Sequence, residues 1–242
     1  MAVKRKGNFL ALVYREFLLC RKSLITYAVM GLIFSMIPIL VILSLRYGNL
    51  ATAPDYIVAQ LRENNGWMLK IGAVICPCML CMAGPESSVH DTRVRWEQFR
   101  KSTPVTPVVM AMAKYVCYGM QIVGSFVAGV AIMGLCTSLL ETKMQREEIA
   151  VIALLVLCYC MFGIVAQVFI MLLCSLDKGM VATIGVAAIG VLAFPEEWKI
   201  KLVSDGLITC AAKLLPVIPI LMAMILLTGF VMTVLIYTRR EK

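Results

Sequence analysis

Long runs of apolar residues alternate with short charged segments along the chain, and this pattern predicts membrane-spanning helices. A helix needs about 20 apolar residues to cross a hydrocarbon core about 30 Å thick. Six runs meet or approach that length, at residues 23–45, 67–84, 107–140, 149–175, 180–194 and 214–237. We therefore expect an all-α membrane protein in which residues 1–242 form a single transmembrane domain of six helices.

Two of the six runs have unusual lengths. At 1.5 Å per residue, the run 107–140 reaches ~50 Å, so it should extend beyond the bilayer or bend near Gly129 or Gly134. The run 180–194 reaches only ~22 Å, which is short for a crossing. Residues 195–213 are therefore expected to form an outer segment that includes a partly inserted, re-entrant hairpin.

Residues 9–20 mix apolar and charged positions before the first long apolar run. Such a pattern is typical of a helix that lies in the membrane interface. The alternative for this segment is a frayed cytosolic tail.

The composition supports the membrane assignment and excludes other classes of protein. Hydrophobic residues make up 61% of the chain and charged residues 15%, whereas a soluble domain has about 25% charged residues. A soluble globule, a disordered chain and a secreted disulfide scaffold are all excluded on this basis. Most of the ten cysteines lie in apolar runs, where a thiol acts as a small hydrophobic group.

The distribution of charge predicts the orientation. If both termini are cytoplasmic, the inner segments contain 14 Lys and Arg and the outer segments contain seven. Cytoplasmic loops of membrane proteins are enriched in Lys and Arg. We therefore expect a multi-pass protein of the cell membrane with both termini in the cytoplasm.

Several kinds of catalytic chemistry have no residues to perform them. His90 is the only histidine, and no Gly-x-x-x-x-Gly-Lys-Ser/Thr phosphate loop occurs. Catalytic residues and a resident cofactor are therefore not expected in this chain. If ATP drives its activity, another polypeptide must bind the nucleotide.

A cysteine motif in the second apolar run suggests an alternative. Cys76, Pro77 and Cys78, followed by Cys81, resemble the metal-transport motif of membrane metal ATPases, and sulfur ligands suit monovalent copper. The phosphorylation domain of those pumps is absent. Chance adjacency in a chain rich in Cys and Met is the simpler interpretation, and the three cysteines stay low-ranked candidates for a metal or redox site.

Charged side chains also fall near the ends of the predicted spans. Lys70, Lys114 and Glu86 are expected to extend along the helix towards the interface, which is favoured over a role in transport. Gln121 and Gln167 could form hydrogen bonds between helices.

The loop between the second and third spans, residues 86–103, has the most specific pattern. Val89, Thr92, Trp96 and Phe99 form a narrow stripe at helical spacing, and charged residues occupy most of the remaining positions. A helix of this kind either lies on the lipid interface or docks in a groove of another protein. Thr106 and Pro107 then form an N-cap and first residue for the third span.

A family resemblance favours the docking interpretation. A similar loop occurs in small ABC exporter permeases of the type-2 family. The resemblance lies in Glu86-Ser87-Ser88 with Asp91, Arg95-Trp96-Glu97-Gln98-Phe99, Thr103-Pro104-Val105-Thr106-Pro107 and Lys114-Tyr115. The nearest of these permeases are those related to phenol-soluble modulin and bacteriocin-immunity exporters. The plan of an interface helix followed by six spans is also similar.

The resemblance implies a permease that dimerises, with an identical or related copy, and sits on two ATP-binding subunits, which hold ATP and Mg. Residues 89–101 would be the coupling helix and residues 9–20 the elbow helix. The coupling contacts would come from Val89, Arg93, Arg95, Trp96, Phe99 and Arg100. The implied activity is export of amphipathic or hydrophobic peptides, toxins or drugs. The alternatives are a membrane metal or redox protein and a scaffold or immunity-type protein with no transport activity.

Overall fold

The computed structural model describes residues 3–48, 66–93, 105–173, 175–193 and 207–241. These ranges form eight α-helices and one 3₁₀ segment and contain no strand. The helices are α1 (Val3–Tyr47), α2 (Gly66–Cys78), α3 (Gly84–Arg93), α4 (Pro107–Leu139), α5 (Arg146–Leu173), α6 (Leu176–Ala193), α7 (Leu207–Leu214) and α8 (Ile218–Glu241). The 3₁₀ segment, Met79–Ala83, joins α2 to α3. The predicted all-α membrane class is confirmed.

Within the described residues, five helical stretches are long and apolar enough to cross a membrane. They are Phe9–Ser44, Trp67–Asp91, Pro107–Leu139, Arg146–Leu173 and Ile218–Arg239. These stretches correspond to five of the six predicted spans. The remaining predicted span, 180–194, corresponds to α6, which begins earlier than expected and has 18 residues. Its length of ~27 Å is close to the ~30 Å of a hydrocarbon core.

The helix α1 continues without a break from Val3 to Tyr47. The segment 9–20 and the first span were expected to be separate elements, and within the described structure they are one helix. The physical reason is local, because Arg21 and Lys22 favour helix and no Gly or Pro separates the two segments. Whether residues 9–20 lie in the membrane interface stays a prediction.

The start of α4 matches the prediction closely. Thr106 is the N-cap residue by its extended backbone angles, although its side chain makes no capping hydrogen bond, and Pro107 occupies the first turn. The helix then continues to Leu139 with no break at Gly129 or Gly134. At the C-terminal end of α4, Nη1 of Arg46 lies 3.3 Å from the carbonyl oxygen of Leu139. Arg46 thus donates to one of the last carbonyls of the helix, which have no N–H partner within the helix.

The main hydrophobic core lies where α2, the 3₁₀ segment, α4 and α5 meet. Its fully buried members include Val74, Cys81, Met133, Ile152 and Cys160. Of the 18 residues in the most apolar part of α5, 56% are buried, whereas only 17% are buried in the corresponding part of α1. Thus α5 is a central helix, and most of α1 faces outwards from the monomer.

Contacts at the helix ends define the path of the chain. Met110 of α4, Met171 of α5 and Tyr237 of α8 pack together, and Glu16 of α1 contacts α4 nearby. Both chain termini therefore lie at the same end of the bundle, which we call the terminal end. Ala211 of α7 packs on Ala150 and Val151 at the start of α5, which is the opposite end.

This path requires the chain to cross the bundle between α5 and α7. Gly179 of α6 packs closely against Ile170, near the terminal end of α5. Val186, further along α6, faces the same groove as Met161 and Val165 of α5. Hence α6 runs antiparallel to α5, away from the terminal end. Of the outer segment 195–213, residues 207–213 belong to the short helix α7, and residues 195–206 lie outside the described residues.

Candidate functional site: buried ion clusters at both ends of the bundle

A buried lysine organises the terminal end of the bundle. Lys114 lies two turns into α4, and its side chain is only 2% exposed. Its Nζ lies 2.7 Å from Oδ2 of Asp91, 3.0 Å from Oε2 of Glu16 and 3.1 Å from Oγ of Ser87. An ammonium group has three N–H donors, so these three acceptors satisfy it fully.

A second cation completes the group. Nη1 of Arg15 lies 2.6 Å from Oε1 of Glu16, and Nη2 of the same guanidinium bonds to Oδ1 of Asp91. Two cations therefore balance two carboxylates, and we call Arg15, Glu16, Asp91 and Lys114 the terminal ion cluster. Burying a charge is costly unless it is paired and hydrogen-bonded, and each member of this cluster is paired.

The terminal ion cluster joins three elements that are distant in sequence. Glu16 belongs to α1, Asp91 to the last turn of α3, and Lys114 to α4. The Asp91–Lys114 pair therefore bridges the two sides of the loop 94–104. Residues 94–101, which follow this pair in the chain, are the larger part of the segment in which the sequence predicts the coupling helix.

A smaller ion pair occupies the opposite end. Nζ of Lys70, in the second turn of α2, lies 2.7 Å from Oε1 of Glu148. The lysine also lies 3.3 Å from the hydroxyl of Thr142 and 5.6 Å from the centre of the Trp67 ring. The other carboxylate oxygen of Glu148 accepts the backbone N–H of Gln145 at 3.2 Å, which caps the N-terminus of α5.

These contacts correct the expectation for the two lysines. Lys70 and Lys114 were expected to extend to the interface, but their residues are 6% and 4% exposed and both are buried in ion pairs. The reason is that each meets a carboxylate from another helix, which removes the need to reach water. Gln121 was expected to bond between helices, and its side chain does form a hydrogen bond with the Cys20 thiol of α1, in addition to the contact of its Nε2 with Cys117 of the same helix at 3.8 Å.

The predicted coupling residues are only partly described. Val89 is 5% exposed and packs inside its own chain, and Arg93 is the last residue of α3. The remaining predicted residues, Arg95, Trp96, Phe99 and Arg100, lie outside the described residues. Their role stays a prediction.

Arg15, Glu16, Asp91 and Lys114 were not singled out together from the sequence. A signal was present, because Lys114 interrupts an apolar run and acids lie near the same predicted membrane face. The sequence alone could not identify the partners, since Glu16 and Lys114 are separated by 98 positions.

The cysteine motif forms packing contacts. Cys78 and Cys81 are fully buried in the main core, and Cys76 is half-buried. Within the described ranges, no three His, Cys, Asp or Glu side chains are grouped so as to hold a metal ion. The geometry of Cys76, Cys78 and Cys81 therefore gives no support to the metal or redox alternative.

An apolar groove of about 450 Å³ lies between α5, α6 and α8. Phe169, Val186 and Met224 are among the residues in its wall. Thr228 supplies a hydroxyl at the groove, but that hydroxyl donates to the carbonyl of Met224 in its own helix at 2.8 Å. The groove is suited to apolar groups.

Comparison with known proteins adds one finding. A family model described as "ABC-2 family transporter protein" matches residues 56–238, which is about three quarters of the chain. No curated protein and no solved structure shows a significant match.

Proposed function

The chain belongs to the ABC-2 family of transporter proteins, and on that premise we propose that it is the membrane subunit of an ATP-driven exporter. The observation that carries the proposal is the family match, which includes every described helix from α2 to α7 and nearly all of α8. The family indicates a transport subunit that is not itself catalytic. We assign ATP and Mg to a separate ATP-binding subunit, since the sequence contains no phosphate-binding loop.

The proposed assembly has two permease copies and two ATP-binding subunits. Nucleotide binding and hydrolysis would move the subunits as rigid bodies and switch the permease between two arrangements. The exposed apolar face of α1, which includes Leu32, Ile33 and Ile37, is available for the second permease copy or for lipid.

Coupling is assigned to residues 92–101, the part of the predicted coupling helix that follows Val89 and Asp91, because those two side chains are buried against their own chain. Trp96 and Phe99 would anchor in the ATP-binding subunit, and Arg93, Arg95 and Arg100 would pair with its acidic residues. The terminal ion cluster supports this assignment, because Asp91 and Lys114, which flank residues 94–104 in the sequence, both form ion pairs with α1. A displacement of α3 would therefore reach α1 and α4 through these pairs.

The proposed cargo is an amphipathic or hydrophobic peptide, toxin or drug, moved out of the cell. The apolar groove between α5, α6 and α8 is compatible with a hydrophobic cargo. The cargo class itself is inferred from the resemblance of the loop motif to small type-2 exporter permeases.

The test is to solubilise the protein gently from its native host and identify what co-purifies in stoichiometric amount. We expect a subunit with a Gly-x-x-x-x-Gly-Lys-Ser/Thr motif, and ATPase activity that depends on this chain. Recovery of the chain alone, with bound copper or haem and no ATPase, would contradict the proposal and favour a metal or redox protein. Recovery alone without metal would favour the scaffold alternative.

Substitution of Trp96 tests the coupling surface. Trp96→Ala is expected to lower the amount of ATP-binding subunit recovered with the permease about tenfold or more, because a buried aromatic anchor at an interface is worth 2 kcal/mol or more. Trp67→Ala is the matched control, since Trp67 lies at the opposite end of the bundle, beside Lys70. Equal recovery with both variants would exclude Trp96 as the anchor.

A further inference from the structure

The second membrane-spanning stretch, Trp67–Asp91, is not one regular helix. It consists of α2, the 3₁₀ segment Met79–Ala83 and α3. Pro77 is the penultimate residue of α2, and Gly84 and Pro85 begin α3. A 3₁₀ stretch in the middle of a helix often marks a hinge.

The backbone hydrogen bonds explain why the helix changes here. Pro77 has no N–H, so it cannot bond to the carbonyl of Ala73 one turn earlier. Oγ of Ser35 from α1 lies 2.7 Å from that carbonyl and 2.5 Å from the carbonyl of Gly31 in its own helix, so the two carbonyls share one hydroxyl donor. Pro85 likewise cannot bond to the carbonyl of Cys81, which accepts the N–H of Gly84 in a 3₁₀ pattern. Each of these two freed carbonyls therefore lies within reach of another donor.

The two ends of the same stretch are fixed to different helices. Lys70 in α2 is paired with Glu148 of α5 at the opposite end. Asp91 in α3 is paired with Lys114 of α4 at the terminal end. These two anchors are 21 positions apart in sequence, about 31 Å along a helix, and the 3₁₀ segment lies midway between them.

The neighbour of the 3₁₀ segment is a buried tyrosine. The ring of Tyr118 packs directly on the Cα of Gly84, where a Cβ would lie 2.2 Å from a ring carbon. Its hydroxyl donates to the carbonyl of Cys160 in α5 at 3.1 Å. Tyr118 thus connects the start of α3 to both α4 and α5, which limits how far α3 can move.

We propose that the 3₁₀ segment Met79–Ala83 is the hinge of the exporter, about which α3 moves relative to α2. This proposal rests on the proposed function, because that function gives the movement of α3 its role in transport. A force applied to the loop acts on Asp91 and Lys114, while Lys70 and Glu148 hold α2 in place. Bending is concentrated where two prolines have already removed the regular hydrogen bonds. In this account the essential member of the Cys76-Pro77-Cys78 motif is the proline, and the thiols pack in the core.

The first test measures the hinge in the permease alone, in phospholipid vesicles. Spin labels are introduced as non-canonical residues, because the chain contains ten cysteines. One pair replaces Met68 and His90, about 33 Å apart across the 3₁₀ segment, and a control pair replaces Val108 and Val127, about 28 Å apart on the unbroken α4.

We expect a broad distance distribution for the 68/90 pair and a narrow one for the 108/127 pair. In a Pro77→Ala/Pro85→Ala variant, the restored N–H groups should narrow the 68/90 distribution. Pro38→Ala is the matched control, because Pro38 lies within the continuous helix α1. Equally narrow distributions for both pairs in the unmodified chain would overturn the proposal, whether or not the variants fold.

The second test uses the complex with the ATP-binding subunit. The 68/90 distance should shift between the nucleotide-free and the ATP–vanadate states, and the 108/127 distance should not. ATPase stimulation by the permease should fall about three- to tenfold in Pro77→Ala/Pro85→Ala, with unchanged recovery of the ATP-binding subunit. If this variant stimulates the ATPase normally although its 68/90 distance distribution is narrowed, the hinge proposal is overturned and the proposed function stands. If no ATP-binding subunit associates, the proposed function fails. The widths of the distance distributions measured in vesicles then show independently whether Met79–Ala83 is a hinge.

Discussion

At the scale of single residues, ion pairs between charged side chains within the spans hold the helices of the bundle together. An unpaired charge is expensive at membrane depth, yet Glu16, Asp91 and Lys114 are all buried. Mutual pairing makes this possible, and each carboxylate also accepts a bond from Arg15. The same arrangement makes the site sensitive to the loss of one member.

Lys114→Met is expected to destabilise the protein by about 3–5 kcal/mol, because it leaves Glu16 and Asp91 with a single cation in a buried site. Thermal unfolding in detergent measures the effect. Lys178→Met is the control, since Lys178 is exposed near the start of α6, and its effect should stay within about 0.5 kcal/mol. Equal unfolding midpoints for the two variants would show that the terminal ion cluster does not stabilise the fold.

At the scale of elements, helix contacts depend on small residues that face one large side chain. Tyr118 of α4 fits between Gly84 of α3 and Gly163 of α5. A Cβ on Gly163 would lie 2.4 Å from the Tyr118 hydroxyl oxygen, whereas a Cβ on Gly84 would meet the ring itself. The two glycines therefore make room for different parts of the same side chain.

This difference can be tested with paired substitutions. Gly84→Ala and Gly163→Ala should each cost about 1–3 kcal/mol of stability through overpacking. Tyr118→Phe removes the hydroxyl, so it should relieve Gly163→Ala but leave Gly84→Ala destabilising. Unfolding midpoints of the single and double variants give the coupling energies.

Gly119→Ala is the control for these variants. A Cβ at Gly119 meets no atom within 4 Å, and alanine favours helix over glycine by about 1 kcal/mol. Gly119→Ala should therefore be neutral or stabilising. Relief of Gly84→Ala by Tyr118→Phe would contradict the assignment of the ring as the obstacle.

At the scale of the whole molecule, both chain ends lie at the same end of the bundle, the terminal end. Contacts of Glu16 with Lys114 and of Tyr237 with Met110 establish this relation. The excess of Lys and Arg in the inner segments predicts that this end faces the cytoplasm. Arg46 and Glu141 pair at the opposite end, which is therefore predicted to face outwards.

Reporter fusions test this orientation. A fluorescent protein that folds only in the cytoplasm should be active when fused after residue 241. Alkaline phosphatase, active only outside the cytoplasm, should be active when fused after Lys143, which is exposed in the turn between α4 and α5. Exchanging the two reporters is the control and should abolish both signals. The reverse pattern would invert the orientation and place the loop 94–104 outside the cell.

The sequence predicted some helix boundaries more accurately than others. The start of α4 was predicted to the residue, because a Thr-Pro pair is a strong local signal for a helix N-terminus. The start of α6 was placed four residues late, at Met180 instead of Leu176. Asp177 and Lys178 separate two apolar runs in the sequence, but they belong to the first turn of α6, where an acid is favourable.

The sequence by itself determined the class of the protein, the number and approximate position of its apolar segments and the segregation of basic residues. These properties depend on composition and on local periodicity, which need no knowledge of distant contacts. The tertiary structure decided which charges pair, that Lys70 and Lys114 are buried, and that Pro77 frees a carbonyl for Ser35. Each of these facts joins residues from different helices, and the energy of a buried charge or carbonyl depends on the partner that the fold brings to it.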